Sequence, residues 1–378
     1  MIPFNLPFVT GEELRYINEV FDNRKFSGDG AFTKKCQEFF QERYKFPKVL
    51  LTSSCTDALE MSSILAGIGP GDEVIIPSYT FVSSVNPFIL RGAKVVFADS
   101  NEREPNIAVD TIARLITPRT KAIVVVHYGG IACEMDKLMA IAEAKGIIVI
   151  EDAAQAIDAF YRKRPLGSIG HLAAFSFHDT KNISSGEGGI LVVNDPALVS
   201  RAEIIWEKGT NRSAFLRGEV DKYTWVDVGS SFLPSEMTAA FLYAQLQHLD
   251  EIQAKRNQLW SCYHTKFTRK SLAEKVGLPF VPEHTAPNGH VYYVVCKDLT
   301  ERSALIGHLQ QNGIKTASHY LSLHKSPFFK DQHDGRELPN ADRFTDCLLR
   351  LPFYAELREQ DQEKIVNAIA EFYNQKAK

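Results

Sequence analysis

Between positions 48 and 194 apolar residues gather in short, nearly unbroken runs separated by longer stretches of helical pattern. The runs are KVLLTSS (48–54), DEVIIPS (72–78), AKVVFAD (93–99), KAIVVVH (121–127), GIIVIED (146–152), LAAFSFH (172–178) and GGILVVN (188–194). Val- and Ile-rich runs without polar alternation suit strands covered on both faces, as in a mostly parallel sheet between helices. DALEMSSILAGIG (57–69) and EMDKLMAIAEAKG (134–146) read as helices between them, the second closing on Gly146. Seven such strands predict one α/β layer structure.

From Ser235 to about Phe267 the pattern becomes helical throughout and predicts one long helix bridging two domains. Beyond it come a Pro-rich stretch (279–287), a strand-like VYYVVCK (291–297) and a helix-like TERSALIGHLQQNG (300–313). KTASHYLSLH (315–324), a loop near 325–340 and a terminal helix at about 356–376 complete a small α+β domain. The expected division is a large domain over 1–245 and a small one over 246–378. A chain of 378 residues exceeds the roughly 250–300 that one core serves, which agrees with two domains.

Composition narrows the class. Hydrophobic content of 44% and charged content of 24% are those of a globular chain. A formal charge of -3 offers no basic surplus for nucleic acid. The cysteines (Cys36, Cys55, Cys133, Cys262, Cys296 and Cys347) form no CxxC pair and read as reduced thiols without metal-ligand spacing. The opening MIPFNLPFVTGEEL lacks the basic start and apolar core of a secretory signal, and no apolar run approaches the roughly 20 residues of a membrane span. A cytoplasmic protein without membrane contact is expected.

In parallel α/β sheets ligands sit beyond the carboxyl ends of the strands, so the residues that follow each run are the candidates for chemistry. LTSSCTDALE (51–60) is a small polar turn opening a helix; it is either a phosphate cradle or an ordinary N-cap. No GxxxxGK[ST] or GxGxxG follows any strand. Phe81, after the second run, could stack on a flat ring or pack under its loop. Glu151 and Asp152 end a very apolar strand, where a carboxylate needs a partner; a protonated ring nitrogen or a helix N-terminus would serve. Lys181 follows the next strand in the polar segment FSFHDTKNISSGEGG (175–189). Alone it reads as a surface charge. Together with a carboxylate, an aromatic and a phosphate turn on successive strand ends, it fits a pyridoxal-phosphate site with Lys181 as the Schiff-base lysine.

EDAAQ (151–155), the FSFH…K…GEGG run and the SSCTDALE turn together resemble the DegT/StrS-type nucleotide-sugar aminotransferases, and GDGAFT (28–33), HYGG (127–130) and KGTNRS (208–213) extend the likeness over the chain. The resemblance implies the aspartate-aminotransferase-like fold (PLP fold type I), a homodimer with its active site at the subunit interface, and pyridoxal 5'-phosphate as cofactor. It assigns the Schiff base to Lys181, the pyridine nitrogen to Asp152, the phenolic oxygen to Gln155 and ring stacking to Phe81. Cys55, Thr56 and Ser176 would hold the phosphate, and His319 and Tyr320 would help enclose the sugar nucleotide. Ser231 stands where many relatives place an asparagine that reaches the neighbouring subunit's phosphate. Lys208, Arg212 and His324 are candidates for the diphosphate, each with surface charge as the alternative. Within the family, HDTKN, GEGG and VGSSFL resemble the subgroup that aminates C4 of dTDP-4-keto-6-deoxy-D-glucose with L-glutamate as donor. The galacto product of that subgroup serves enterobacterial common antigen and lipopolysaccharide synthesis. The gluco epimer, C3 amination, a dehydratase and a non-catalytic binder are the alternatives, and the lysine at 181 argues against the dehydratase, whose relatives carry histidine there.

Overall fold

A computed structural model describes residues 1–376. Each of the seven apolar runs forms a strand, displaced by at most two residues at either end: β1 (Lys48–Thr52), β2 (Glu73–Pro77), β3 (Lys94–Ala98), β4 (Thr120–Val126), β5 (Ile148–Asp152), β6 (Leu172–Ser176) and β7 (Gly189–Val193). They make one sheet in the order β1-β7-β6-β5-β4-β2-β3. Only β7 runs against its neighbours, antiparallel to β1 and β6, while the remaining pairs are parallel. Gly189 at its start is required by contact, since a Cβ there would lie 2.5 Å from the backbone of Ser54 and Cys55.

Because side chains alternate along a strand, each strand supplies two cores. Leu51, Ile75, Ile123 and Val149 face one, covered by helices Ala31–Tyr44, Met135–Glu143 and Glu236–Gln247. Leu50, Ile76, Val124 and Ile150 face the other, under helix Cys55–Leu65 and under Tyr293, Leu323 and Phe344 from the C-terminal part of the chain. A third cluster, with Tyr263, Phe267, Val294, Leu305 and Ile369, lies among the C-terminal helices. The short strand Tyr293–Val295, paired with Leu348–Arg350, joins the two regions by the same alternation: Tyr293 enters the sheet-side core and Val294 the third cluster.

The single helix expected over 235–267 is two, Glu236–Gln247 and Leu249–Arg269, broken at His248. The first packs against helices Glu13–Asn23 and Ala31–Tyr44; the second starts in that same core with Leu249 and Ile252 and runs on to the third cluster with Tyr263 and Phe267, against the terminal helix Glu359–Lys376. Nothing in the hydrophobic period marks that break. Helices Glu13–Asn23 and Ala31–Tyr44, which precede β1, were also not anticipated from the pattern.

Glu236 explains the GDGAFT run. Its buried carboxylate accepts hydrogen bonds from the N–H groups of Gly30, Phe32 and Thr33 and from the Thr33 hydroxyl, capping helix Ala31–Tyr44 from another helix. Gly30 is forced by the same contact, because a Cβ there would sit 2.4 Å from the Glu236 carboxyl carbon. Glu236→Ala leaves buried donors unpaired and is expected to cost about 3 kcal/mol, read as a lowered urea midpoint with little change in slope; a midpoint equal to wild type would show that the cap is dispensable.

Candidate active site

The carboxyl ends of the parallel strands open into a cavity of about 550 Å³. The turn after β1 contributes Ser54, Cys55 and Thr56; the turn after β2, Phe81, Ser83 and Ser84; the end of β5, Asp152 and Gln155. Ser176 and Lys181 come from the end of β6 and the loop beyond it, and His319 and Tyr320 from the C-terminal part of the chain. These positions are the ones that strand order makes adjacent, although the residues span most of the sequence.

At the turn after β1, the Ser54 side chain caps helix Cys55–Leu65 by accepting from the Asp57 N–H at 3.0 Å. The N–H groups of Cys55 and Thr56 make no hydrogen bond to the described residues and stand at the positive end of the helix dipole. The cap therefore leaves these two N–H groups available to an anion.

Glu151 and Asp152 are neighbours in β5 and so face opposite sides of the sheet. Glu151 accepts from the N–H groups of Gly167, Ile169 and Gly170 and meets His127 Nε2 at 2.9 Å. Burial alone would raise its carboxyl, but His127 and these amides outweigh burial and hold it below the usual carboxylate range. Asp152 faces the cavity, with Oδ2 accepting from the Ser84 hydroxyl at 2.6 Å and Oδ1 from the Ala154 N–H at 3.1 Å. Here burial prevails and raises the carboxyl, against the pull of Ser84, Ala154, Lys181 and His127. A raised, buried carboxylate favours a cationic partner.

Lys181 is half-buried, not a surface charge. Burial lowers its ammonium below the usual lysine range, Cys55 and Asp152 oppose that, and Arg350 adds to it. The next residue anchors the loop. Asn182 is buried, donates Nδ2 to Gln253 Oε1 at 2.8 Å and to the Asn288 carbonyl at 3.0 Å, and holds His290 Nδ1 at 2.7 Å through Oδ1. Burial first, then Lys181, keeps His290 neutral, so its Nδ1–H is the donor to Asn182. Asn288 in turn donates to the carbonyls of Gln155 and Ile157. The HYGG run fits against this network: a Cβ on Gly130 would lie 2.0 Å from Asn288 Oδ1.

Gln155 accepts from the Gly129 N–H at 2.6 Å and donates to Tyr320 Oη at 3.1 Å. Tyr320 packs among Tyr79, Tyr128 and Phe81, with ring centroids 5.8–6.2 Å apart. Phe81 is 54% exposed at the cavity rim instead of packed beneath its loop.

The remaining expected residues lie away from the cavity of this chain. Ser231 is exposed and bridges Glu207 through the backbone; Lys208 is exposed; Arg212 pairs with Glu207 and Asp29. His324 is neither solvated nor in the cavity, being buried with Nδ1 2.7 Å from Ser78 Oγ. Ser84, Tyr128, Asn182, His290 and Arg350 are around the site and were not singled out from sequence, where no motif distinguishes them. Among the described residues no cluster suits a metal ion, and no helix is long and apolar enough to cross a membrane.

A sequence profile described as the DegT/DnrJ/EryC1/StrS aminotransferase family matches residues 7–370. The spore coat polysaccharide biosynthesis protein SpsC of Bacillus subtilis (strain 168) is 33% identical, over 97% of this chain and 96% of its own. The aminotransferase TlmJ from Streptoalloteichus hindustanus superposes with a TM-score of 0.90 at 28% identity, covering 100% of both chains. DesV of S. venezuelae does so with a TM-score of 0.88 at 30% identity, covering 98% of each.

Because His290 is held neutral, its folded proton affinity lies below the ordinary histidine value of 6.5. Below that pH the unfolded chain binds more protons than the folded one, so stability falls with acidification. Melting temperature is expected to drop between about pH 7 and pH 5.5, and His290→Asn to flatten part of that slope; an unchanged slope in the variant would remove His290 as its source.

Proposed function

The chain belongs to the DegT/DnrJ/EryC1/StrS aminotransferase family, and we propose that it transfers the amino group of L-glutamate to C4 of dTDP-4-keto-6-deoxy-D-glucose, giving dTDP-4-amino-4,6-dideoxy-D-galactose. Its class is that of pyridoxal-phosphate-dependent sugar aminotransferases, which act on a keto sugar and an amino donor and share this α/β fold. The observation that carries the reading is one cavity containing a depressed lysine amine, a buried carboxylate and a helix N-terminus with free N–H groups. The choice of C4 and of the thymidine nucleotide is supported by GEGG (186–189) after the lysine and by Ser231 in VGSSFL.

The residues present fit pyridoxal phosphate. Asp152 offers a desolvated carboxylate for the ring nitrogen, and Cys55, Thr56 and Ser176 offer donors for the phosphate. Phe81 presents a ring face and Gln155 a side chain near the phenolic oxygen. When bound, the cofactor supplies an aldehyde and an electron-accepting ring through which the amino group passes. Lys181, its proton affinity lowered by burial, holds the cofactor and then takes and returns a proton at the donor's α-carbon. Asp152 keeps the ring nitrogen protonated. His319 and Tyr320 close over the sugar and exclude water.

The functional unit in this reading is a homodimer. Support comes from the segment around Lys208, Arg212 and Ser231, which displays Tyr223, Val226 and Trp225, the last 78% exposed, and from Phe81 at the cavity rim. Paired in that way, those three polar residues serve the partner's cavity. The six cysteines are all unpaired, which accords with a reducing cytoplasm. A boundary near residue 245 between large and small domains accords with the third apolar cluster.

Lys181→Ala is expected to abolish turnover, and Asp152→Ala to lower kcat by about 100-fold or more while cofactor remains bound. Wild-type rates in Lys181→Ala would sink the assignment. NMR of the product from dTDP-4-keto-6-deoxy-D-glucose and L-glutamate should show an axial C4 amine; an equatorial one would establish the gluco product instead.

A further inference from the structure

Among the described residues Arg350 has no counterion. It ends strand Leu348–Arg350, and its backbone is tied in both directions to Ala317, with N–H to carbonyl at 2.8 Å and carbonyl to N–H at 3.2 Å. The side chain is half-buried; Nη1 lies 2.9 Å from His319 Nε2, and the guanidinium carbon sits 4.8 Å from the centroid of Phe4. Nε is buried and makes no hydrogen bond, and no carboxylate pairs with Arg350 among the described residues. Half-buried Arg43 and Arg212 meet one, at Asp158 and Glu207, and Arg302 and buried Arg256 donate to backbone carbonyls, whereas Arg350 reaches only an imidazole nitrogen. An unpaired, partly desolvated guanidinium with open donors is costly unless something outside the chain completes it.

Its surroundings say what completes it. Arg350 bears on His319, Lys181, His290 and Arg256, depressing the proton affinity of each. Of the carboxylates that line the cavity, Asp152 is already held by Ser84 and Ala154, and Glu187 lies 3.6 Å from His178 Nε2, so neither meets Arg350. The phosphate-ready helix N-terminus belongs to a different wall, after β1. His319 Nε2 accepts from Arg350 Nη1, so the imidazole keeps its proton on Nδ1, facing Tyr128 Oη at 3.3 Å, and braces the guanidinium without neutralising it. Nη2 makes no hydrogen bond to the described residues, and the guanidinium stands behind His319, which lines the cavity together with the lysine; a planar set of donors so placed matches a carboxylate.

We propose that Arg350, braced by His319, binds a carboxylate of the amino donor. The subsite rests on the aminotransferase reading above and adds the group that recognises the donor. Occupation has a second consequence: an anion on Arg350 cancels its field at Lys181, so the lysine becomes more basic when the donor is in place.

The test uses the holoenzyme with L-glutamate, with the keto sugar, and with glutarate, a dicarboxylate that lacks the amine. In wild type, glutarate should compete with L-glutamate and move the pH titration of the bound cofactor's visible absorbance to higher pH. Arg350→Gln should raise KM for L-glutamate by about 10- to 100-fold, leave KM for the keto sugar within about twofold, and lose the glutarate shift. Arg350→Lys, which keeps the charge and loses the fork, should fall between; it also decides the matter if the glutamine variant does not fold. An unchanged KM for L-glutamate in a folded variant overturns the proposal, as does a rise confined to KM for the keto sugar, which would place the nucleotide diphosphate on Arg350. If wild type takes its amino group from another amino acid, the donor reading fails separately, and the Arg350→Gln comparison on that amino acid's KM still decides the subsite.

Discussion

The site depends on the alternation of β5 at its last two residues. Two adjacent carboxylates at the buried end of a strand cannot share one environment, and the pleat separates them. Glu151 goes to the side where three amides and His127 converge and binds β4, β5 and the turn before β6 into one unit. Removing those partners would leave a charge in the core. With Glu151 satisfied there, Asp152 must face the cavity, where the bonds from Ser84 and Ala154 offset burial only in part. The partners of one carboxylate thus determine the setting of its neighbour.

The same turn carries the chain into β6 and on to Lys181, where a second polar network takes over. Asn182, His290, Gln253 and Asn288 belong to a loop beyond the sheet, the segment before strand Tyr293–Val295 and helix Leu249–Arg269. Every bond among them is buried, so each partner is costly to lose, and the lysine beside them is held by a scaffold instead of by its own flexible loop. Asn288 also reaches the carbonyl of Gln155, which links the lysine's support to the strand end that bears Asp152.

Rings and one guanidinium stand behind a wall of the cavity. Tyr79, Tyr128 and Tyr320 pack edge to face or tilted, and His319 and Arg350 sit behind them. The wall is therefore apolar in contact with the positive charge of Arg350 behind it, a combination suited to a flat cofactor with anionic partners. Exposed Phe81 and Trp225 mark surfaces that this chain by itself does not cover.

The amino-acid sequence by itself determined the seven strands, their mostly parallel character and the residues at their ends. Continuous Val/Ile runs and the polar turns after them are local signals, and burial on both sheet faces requires them. It also made Asp152 and Lys181 a pair, because strand ends of such a sheet lie together. Tertiary structure alone decided the rest. The break at His248 comes where the chain leaves the helices beside the sheet for the third cluster, a change of packing partner that the hydrophobic period does not mark. His324 sits against Ser78, and Arg350 against His319, through contacts that no spacing encodes. The bond from His290 to Asn182 joins residues 108 positions apart, and its meaning depends on a burial that only the folded chain creates.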